Sequence, residues 1–182
     1  GSREWTNAET WPPKGKDVNY YLHSSGQANT RFGNGSLLLD SPEIQCPDSY
    51  LYDPLDPVPT KGGRIQMPEV QEAGVKDQSV VEEREDVLVY TTKHLDKAVK
   101  IAGPVEAKLF ISSSAVDTDF TAKLVDVEPD GYCGNVTEGI IRARYRESME
   151  KEVLMEPGEV YEISVDLWHV AHTFKPGHKI RL

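Results

Sequence analysis

The clearest pattern in the chain is a period-two alternation of apolar and polar side chains, concentrated in its second half. Val105, Ala107, Leu109 and Ile111 alternate with Glu106, Lys108, Phe110 and Ser112, and Tyr161, Ile163, Val165 and Leu167 alternate with Glu162, Ser164 and Asp166. Ile141, Ala143 and Tyr145 stand in the same relation to Arg142, Arg144 and Arg146. Such spacing puts one side of an extended strand in a core and the other in water, so three strands are expected here. Turn signals at Gly103-Pro104, Pro129-Asp130-Gly131, Pro157-Gly158 and Pro176-Gly177 punctuate the runs at intervals suited to antiparallel pairing. No stretch has a persuasive long-helix period. Two packed antiparallel sheets, a mostly β sandwich, are the simplest architecture.

The first third reads differently. From Glu4 to about Gly63 the apolar pieces are short (Tyr20-Tyr21-Leu22, Leu37-Leu38-Leu39 and Tyr50-Leu51-Tyr52) and are separated by residues rich in Pro, Gly, Asn and Asp. Short strands joined by long ordered loops are expected. Met67 to Asp86 carries Glu69, Glu72, Asp77, Glu82, Glu83, Glu85 and Asp86 and reads as an acidic surface loop. The last residues, His178 to Leu182, alternate like a strand just beginning, so the sheet is expected to continue past Leu182 and to leave an unpaired edge.

Length and composition narrow the class. At 182 residues the chain suits one domain, residues 3–182, with Gly1-Ser2 reading as a vector-derived dipeptide. The formal charge of −10 disfavours a nucleic-acid partner, which needs clustered Lys and Arg. No apolar run approaches the roughly 18 to 20 residues that cross a bilayer, so no membrane partner is expected. The compartment of the parent protein is hidden, because a leader would lie outside this sequence; cytoplasmic is favoured. Cys46 and Cys133 have no CxxC spacing and suggest free, partly buried thiols rather than a zinc site or a disulfide framework.

Each candidate for chemistry has an ordinary structural reading beside it. There is no G-x-S-x-G nucleophile turn, and His23, His94, His169, His172 and His178 come without a nucleophile and orienting carboxylate that the sequence could place. His169 and His172 have H-x-x-H spacing, but on a strand residues three apart point to opposite faces. Asp53 and Asp56, or Asp117 and Asp119, offer carboxylates to a calcium ion; turn formation by Asp is the commoner role. Arg142, Arg144 and Arg146 would line one strand face able to grip an anion, or would pair with Glu162 and Asp166 across the sheet. Trp5, Trp11 and Trp168 suit a sugar platform or, more commonly, packing. No metal or cofactor is expected.

Several blocks occur together in one order: Glu4-Trp5 through Trp11-Pro12, Tyr50-Leu51-Tyr52-Asp53-Pro54, Asp56-Pro57-Val58-Pro59-Thr60 with Gly62-Gly63, and Asp77-Gln78. Asp86-Val87-Leu88 with Tyr90-Thr91-Thr92, Gly103-Pro104-Val105, Ser112 through Phe120, Ala122 through Val127, Arg142 through Arg146 and Pro176-Gly177-His178 continue it. This order resembles the carboxy-terminal domain of the X-prolyl dipeptidyl-peptidase and cocaine esterase group of bacterial serine hydrolases. The resemblance implies a galactose-binding-like jelly roll attached to an α/β-hydrolase domain, with the catalytic Ser, Asp and His outside this segment. It implies a non-catalytic accessory role, with the hydrolase domain as partner and, through it, a small ester or amide substrate. Matching by position puts Gln66 and Met67 in the wall of the acyl pocket, where Met67 keeps the apolar character of the group and Gln66 departs from it. A carbohydrate-binding module and an oligomerisation surface of the parent enzyme are the alternative roles.

Overall fold

The computed structural model describes residues 5–43, 46–64 and 72–182. Among these the strands are β1 (Tyr21–His23), β2 (Ser36–Leu38), β3 (Val99–Ile111), β4 (Asp119–Val127), β5 (Cys133–Arg142), β6 (Tyr161–Phe174) and β7 (Lys179–Arg181). Two of the three alternating runs form strands as the pattern requires. In β3 the side chains of Val105, Ala107, Leu109 and Ile111 turn inward and Glu106, Lys108 and Phe110 outward; in β6 Ile163, Val165 and Leu167 are buried and Glu162, Ser164 and Asp166 exposed.

The strands make two layers. β3 and β6 pair antiparallel from Val99 opposite Phe174 to Ile111 opposite Tyr161. The other layer has β4 between β5 and β7, both antiparallel to it. Thr91 carries this layer onward, bridging Arg181 on one side and Ser36 on the other, and so joins the β1–β2 pair. The core lies between the layers. Leu37, Tyr90, Ala122, Leu124 and Ile180 meet Ala107, Ile163, Val165, Leu167 and Phe174 there. The fold is thus a mostly β, antiparallel sandwich.

The layers touch most closely where β5 meets β6. A side chain on Gly139 would run into the backbone carbonyl of Asp166, and the Thr137 hydroxyl donates to the carbonyl of Leu167. Glycine at 139 is what permits this approach.

The structure corrects six expectations. The alternation at 141–146 does not continue as a strand: β5 ends at Arg142, and Ala143–Tyr145 form a 3-10 turn. The amide of Ala143 donates to the Thr118 carbonyl and that of Arg144 to Asp117 Oδ1, so loop acceptors take the amides a ladder would have used. Gly103-Pro104 is not a turn but lies inside β3, beside a register shift between Pro104 and Glu106 where the missing proline N–H costs nothing. Tyr50-Leu51-Tyr52 forms no strand and is exposed.

The acidic stretch is not all surface. Gln78, Val81 and Glu82 are buried, with a 3-10 turn at Val81–Glu83, while residues 67–71 lie outside the described residues. The final strand is not an unpaired edge either: β7 pairs with β4, and on its other side Thr92 N–H donates to Ile180 O at 2.9 Å while Tyr90 and Leu182 exchange backbone hydrogen bonds at 2.8 and 2.9 Å. Of the two free cysteines, Cys133 is buried and its thiol is pushed up to about 11, chiefly by burial and then by Glu82; Cys46 is exposed rather than partly buried.

Candidate functional site at the base of the glycine loop

Gln66 and Met67, the residues matched to the acyl-pocket wall, lie outside the described residues. Their flanks are described and are firmly held. Gly63 and Gly74 exchange backbone hydrogen bonds at 2.8 Å each, which closes the intervening segment at its base. Gly63 sits at φ +83°, a conformation that favours glycine, and a Cβ there would run into the Glu138 carboxylate on β5. The paired glycines therefore let the chain lie flat against the sheet at Gly63.

Gln78 fastens the return. Only 1% exposed, it donates from Nε2 to the carbonyls of Lys61 (2.8 Å) and Lys76 (3.0 Å), and its Oε1 accepts from Lys123 Nζ at 2.7 Å. Burial holds the Lys123 ammonium below its ordinary value, partly offset by Glu138, whose carboxylate lies 3.7 Å away. Asp77 accepts from Ser79 N–H and O–H and from the Cys133 amide at the start of β5. Burial opposes ionisation of Asp77, but these hydrogen bonds outweigh it and lower its pKa. The Asp77-Gln78 pair thus ties Lys61 and Lys76, on either flank of Gln66 and Met67, to β4 and β5.

Beside this base stands Trp168, where β6 carries two residues against one of β3. Its φ is +70°, rare for a bulky residue and strained by about 1–2 kcal/mol; the Asp166 carboxylate stabilises the bulge by accepting the Trp168 N–H at 2.7 Å. The indole is 59% exposed, with the Arg64 guanidinium 4.5 Å from its ring centroid. Arg64 also donates to the carbonyl of Glu138. The first residue after the paired glycines is therefore held between an aromatic ring and the β5 backbone. Neither the Trp168 bulge nor the Arg64 stack has a local sequence signal, since a positive φ at Trp is dictated by tertiary packing.

The remaining candidates disperse. His169 packs its ring 6.3 Å from that of Trp11, whereas His172 hydrogen-bonds Asp126 at 2.9 Å, so the two histidines serve different neighbours. Asp53 accepts the Leu55 amide in its own turn, and Asp56 pairs with Arg84. Asp117 caps the Arg144 amide. The three arginines share no face: Arg142 grips Asp119 with two hydrogen bonds, at 2.7 and 2.9 Å, Arg144 is ion-paired with Asp117 and Glu152, and Arg146 lies over the Tyr161 ring. Arg142 does pair across strands, but with Asp119 on β4 rather than with Glu162 or Asp166.

The fold is a mostly β sandwich whose Gly63–Gly74 pairing is fastened to β4 and β5 through Asp77 and Gln78. The chain belongs to the family described as the X-Pro dipeptidyl-peptidase C-terminal non-catalytic domain, which it matches over residues 1–182. It is 45% identical over 181 residues to the cocaine esterase of Rhodococcus sp. (strain MB1 Bresler), covering 99% of this chain and 31% of that protein. Its fold superposes on an α-amino acid ester hydrolase with a TM-score of 0.85 at 28% identity, covering all of this chain and 31% of that one. An aminopeptidase from a marine sediment archaeon, Thaumarchaeota archaeon, gives a TM-score of 0.81 at 32% identity, again over the whole chain and 30% of the other. The chain thus spans about a third of the length of these relatives.

Proposed function

We propose that this domain docks on the α/β-hydrolase domain of a serine hydrolase and completes its acyl pocket with the loop that bears Gln66 and Met67. The observation that carries this reading is a run of uncovered apolar side chains: Tyr50, Leu51, Tyr52 and Leu55 are 41, 88, 50 and 93% exposed within one short segment ahead of the paired glycines. Contiguous exposed apolar residues call for a partner surface. Gly63 and Gly74, which flank Gln66 and Met67 in sequence, are pinned to each other by two backbone hydrogen bonds.

The parent chemistry in this reading is acyl transfer through a serine acyl-enzyme on an ester or amide substrate, with this domain acting on specificity and stability. A sugar-binding platform is less well supported. The Arg64 guanidinium already stacks on the Trp168 ring, and Trp11 leans on His169, so these two rings are engaged, and the third candidate, Trp5, is a single fully exposed ring.

The test is a side-by-side assay of the isolated chain and its full-length parent on a short-chain p-nitrophenyl ester and an X-Pro amide. Turnover is expected in the parent alone. In the parent, Met67→Ala should raise KM for the preferred substrate about tenfold, the range expected when a pocket loses a few methylenes. Kinetics unchanged by both Met67→Ala and Gln66→Ala would remove these residues from the pocket.

A further inference from the structure

The chain carries 30 acidic and 20 basic residues, yet one groove gathers four Lys and Arg side chains and a histidine beside Gly33, Gly35, Thr91 and Thr92. Arg31, Lys93, His94, Lys179 and Arg181 surround a concavity of about 570 Å³, and no Asp or Glu lines it among the described residues. We propose that this groove is a binding site for a small multivalent oxyanion of the phosphate type.

The distribution of ion pairs supports the assignment. Arg84, Lys123, Arg142, Arg144 and Arg146 are ion-paired; among the described residues Lys100 and Lys108 are not, but they stand on the exposed side of β3 and do not line the concavity. Arg31, Lys93 and Lys179 take part in no ion pair among the described residues. Three uncompensated charges facing one concavity repel one another, and an anion with several oxygens relieves that repulsion while accepting hydrogen bonds from each. A single carboxylate would satisfy fewer of them.

The walls are rigid, which keeps the donors apart at fixed positions. Thr92 N–H donates to Ile180 O at 2.9 Å and Leu95 N–H to His178 O at 2.8 Å, so the segments bearing Lys93 and Lys179 are bonded side by side. Arg181 is anchored by Glu82 and by Thr91 Oγ1 at 2.8 Å. His94 is oriented by Nδ1 against the Gly177 carbonyl at 2.8 Å. Arg181 and His94, held through their side chains, therefore bind with little loss of side-chain freedom, while Lys93 and Lys179 are fixed through their backbones.

The experiment is calorimetric titration of pyrophosphate into the full-length protein that carries this chain, at low ionic strength. Saturable binding is expected, weakening as salt is raised. The double substitution Lys93→Glu, Lys179→Glu should weaken it at least tenfold, whereas Lys100→Glu, Lys108→Glu, the same charge change on the exposed side of β3, should leave it within about twofold. If the charge-reversed protein melts early, Lys179→Gln is read instead, with at least a threefold loss expected. No saturable heat in the unaltered protein, or equal losses in the groove and control variants, overturns the proposal.

Discussion

Glu82→Ala is expected to destabilise the domain by about 3 to 5 kcal/mol, the usual penalty for stranding one partner of a buried ion pair. Glu82 and Arg181 are 5% and 8% exposed, and Arg181 Nη1 lies 2.5 Å from Glu82 Oε2. The remaining contacts of the guanidinium, to Thr91 Oγ1 and at 3.4 Å to Cys133 Sγ, are to neutral groups and cannot balance its charge. Glu82 also carries structure through its backbone, its carbonyl accepting from Arg31 N–H at 2.6 Å, but alanine keeps that bond. The melting temperature should fall by roughly 10 °C or more for a chain of this size. Glu83→Ala, one residue along on the exposed side of the same turn, is the control and should change stability by no more than about 0.5 kcal/mol. Replacing both partners, Glu82→Met with Arg181→Leu, should recover most of the loss. Scanning calorimetry of the four proteins decides it, and a Glu82→Ala melt no lower than that of Glu83→Ala would falsify the assignment.

The second large effect centres on Asp126 in β4, which accepts from His172 Nε2 at 2.9 Å through one oxygen and from His178 Nδ1 at 2.8 Å through the other. The carboxylate and His178 are buried, and the His172 ring meets Phe174 edge-on at 4.7 Å. Asp126→Ala leaves two ring N–H groups without an acceptor and should cost about 3 kcal/mol; Asp126→Asn, which retains one acceptor oxygen, should cost about half as much. The pH dependence has a definite sign. Burial alone would raise the Asp126 pKa, but the hydrogen bonds and charges of His172 and His178 outweigh it and hold the carboxyl below its ordinary value. A depressed folded-state pKa contributes stability above the unfolded value, near 4, that is lost as pH falls through the lower folded value. The stability gap between the unaltered protein and Asp126→Asn should therefore hold from neutrality down to about pH 4 and narrow below it. Denaturant midpoints across that range would show it, and a gap that widens in acid would contradict it.

The parts of this fold legible in sequence are those governed by local periodicity. β3 and β6 are long, each buries one face, and each announces it every second residue. Where a side chain or loop carbonyl competes for backbone amides, periodicity misleads: the Arg142 to Arg146 run alternates as well as any strand, yet Asp117 and Thr118 draw its amides into a 3-10 turn. Pro104 reads as a break and is absorbed by a bulge supplied by β6. Glu82 reads as one more surface acid because its partner, Arg181, lies 99 residues further along. The clasp formed by Gln78 was visible only as a motif without a reason; its reason is three hydrogen bonds to groups from Lys61, Lys76 and Lys123. The family, by contrast, was readable, because it rests on the order of many short blocks rather than on any one contact.

The placement of β7 has a kinetic consequence. Three residues, Lys179–Arg181, separate β4 from the Tyr90–Thr92 segment, and the latter is the link that carries β1 and β2. The Tyr90–Thr92 link to β4 therefore cannot form until residues 179–182 have been synthesised, whereas the contacts of Asp77 and Gln78 with β4 and β5 can form earlier. Contacts of such sequence separation carry a large loop-closure cost and slow folding into the millisecond-to-second range. Pulsed hydrogen exchange should find the Tyr90 and Thr92 amides protected late, after those of β3 and β6. Until that moment β4 presents a bare flank, and a nascent chain at that stage is at its most exposed to pairing with a neighbour.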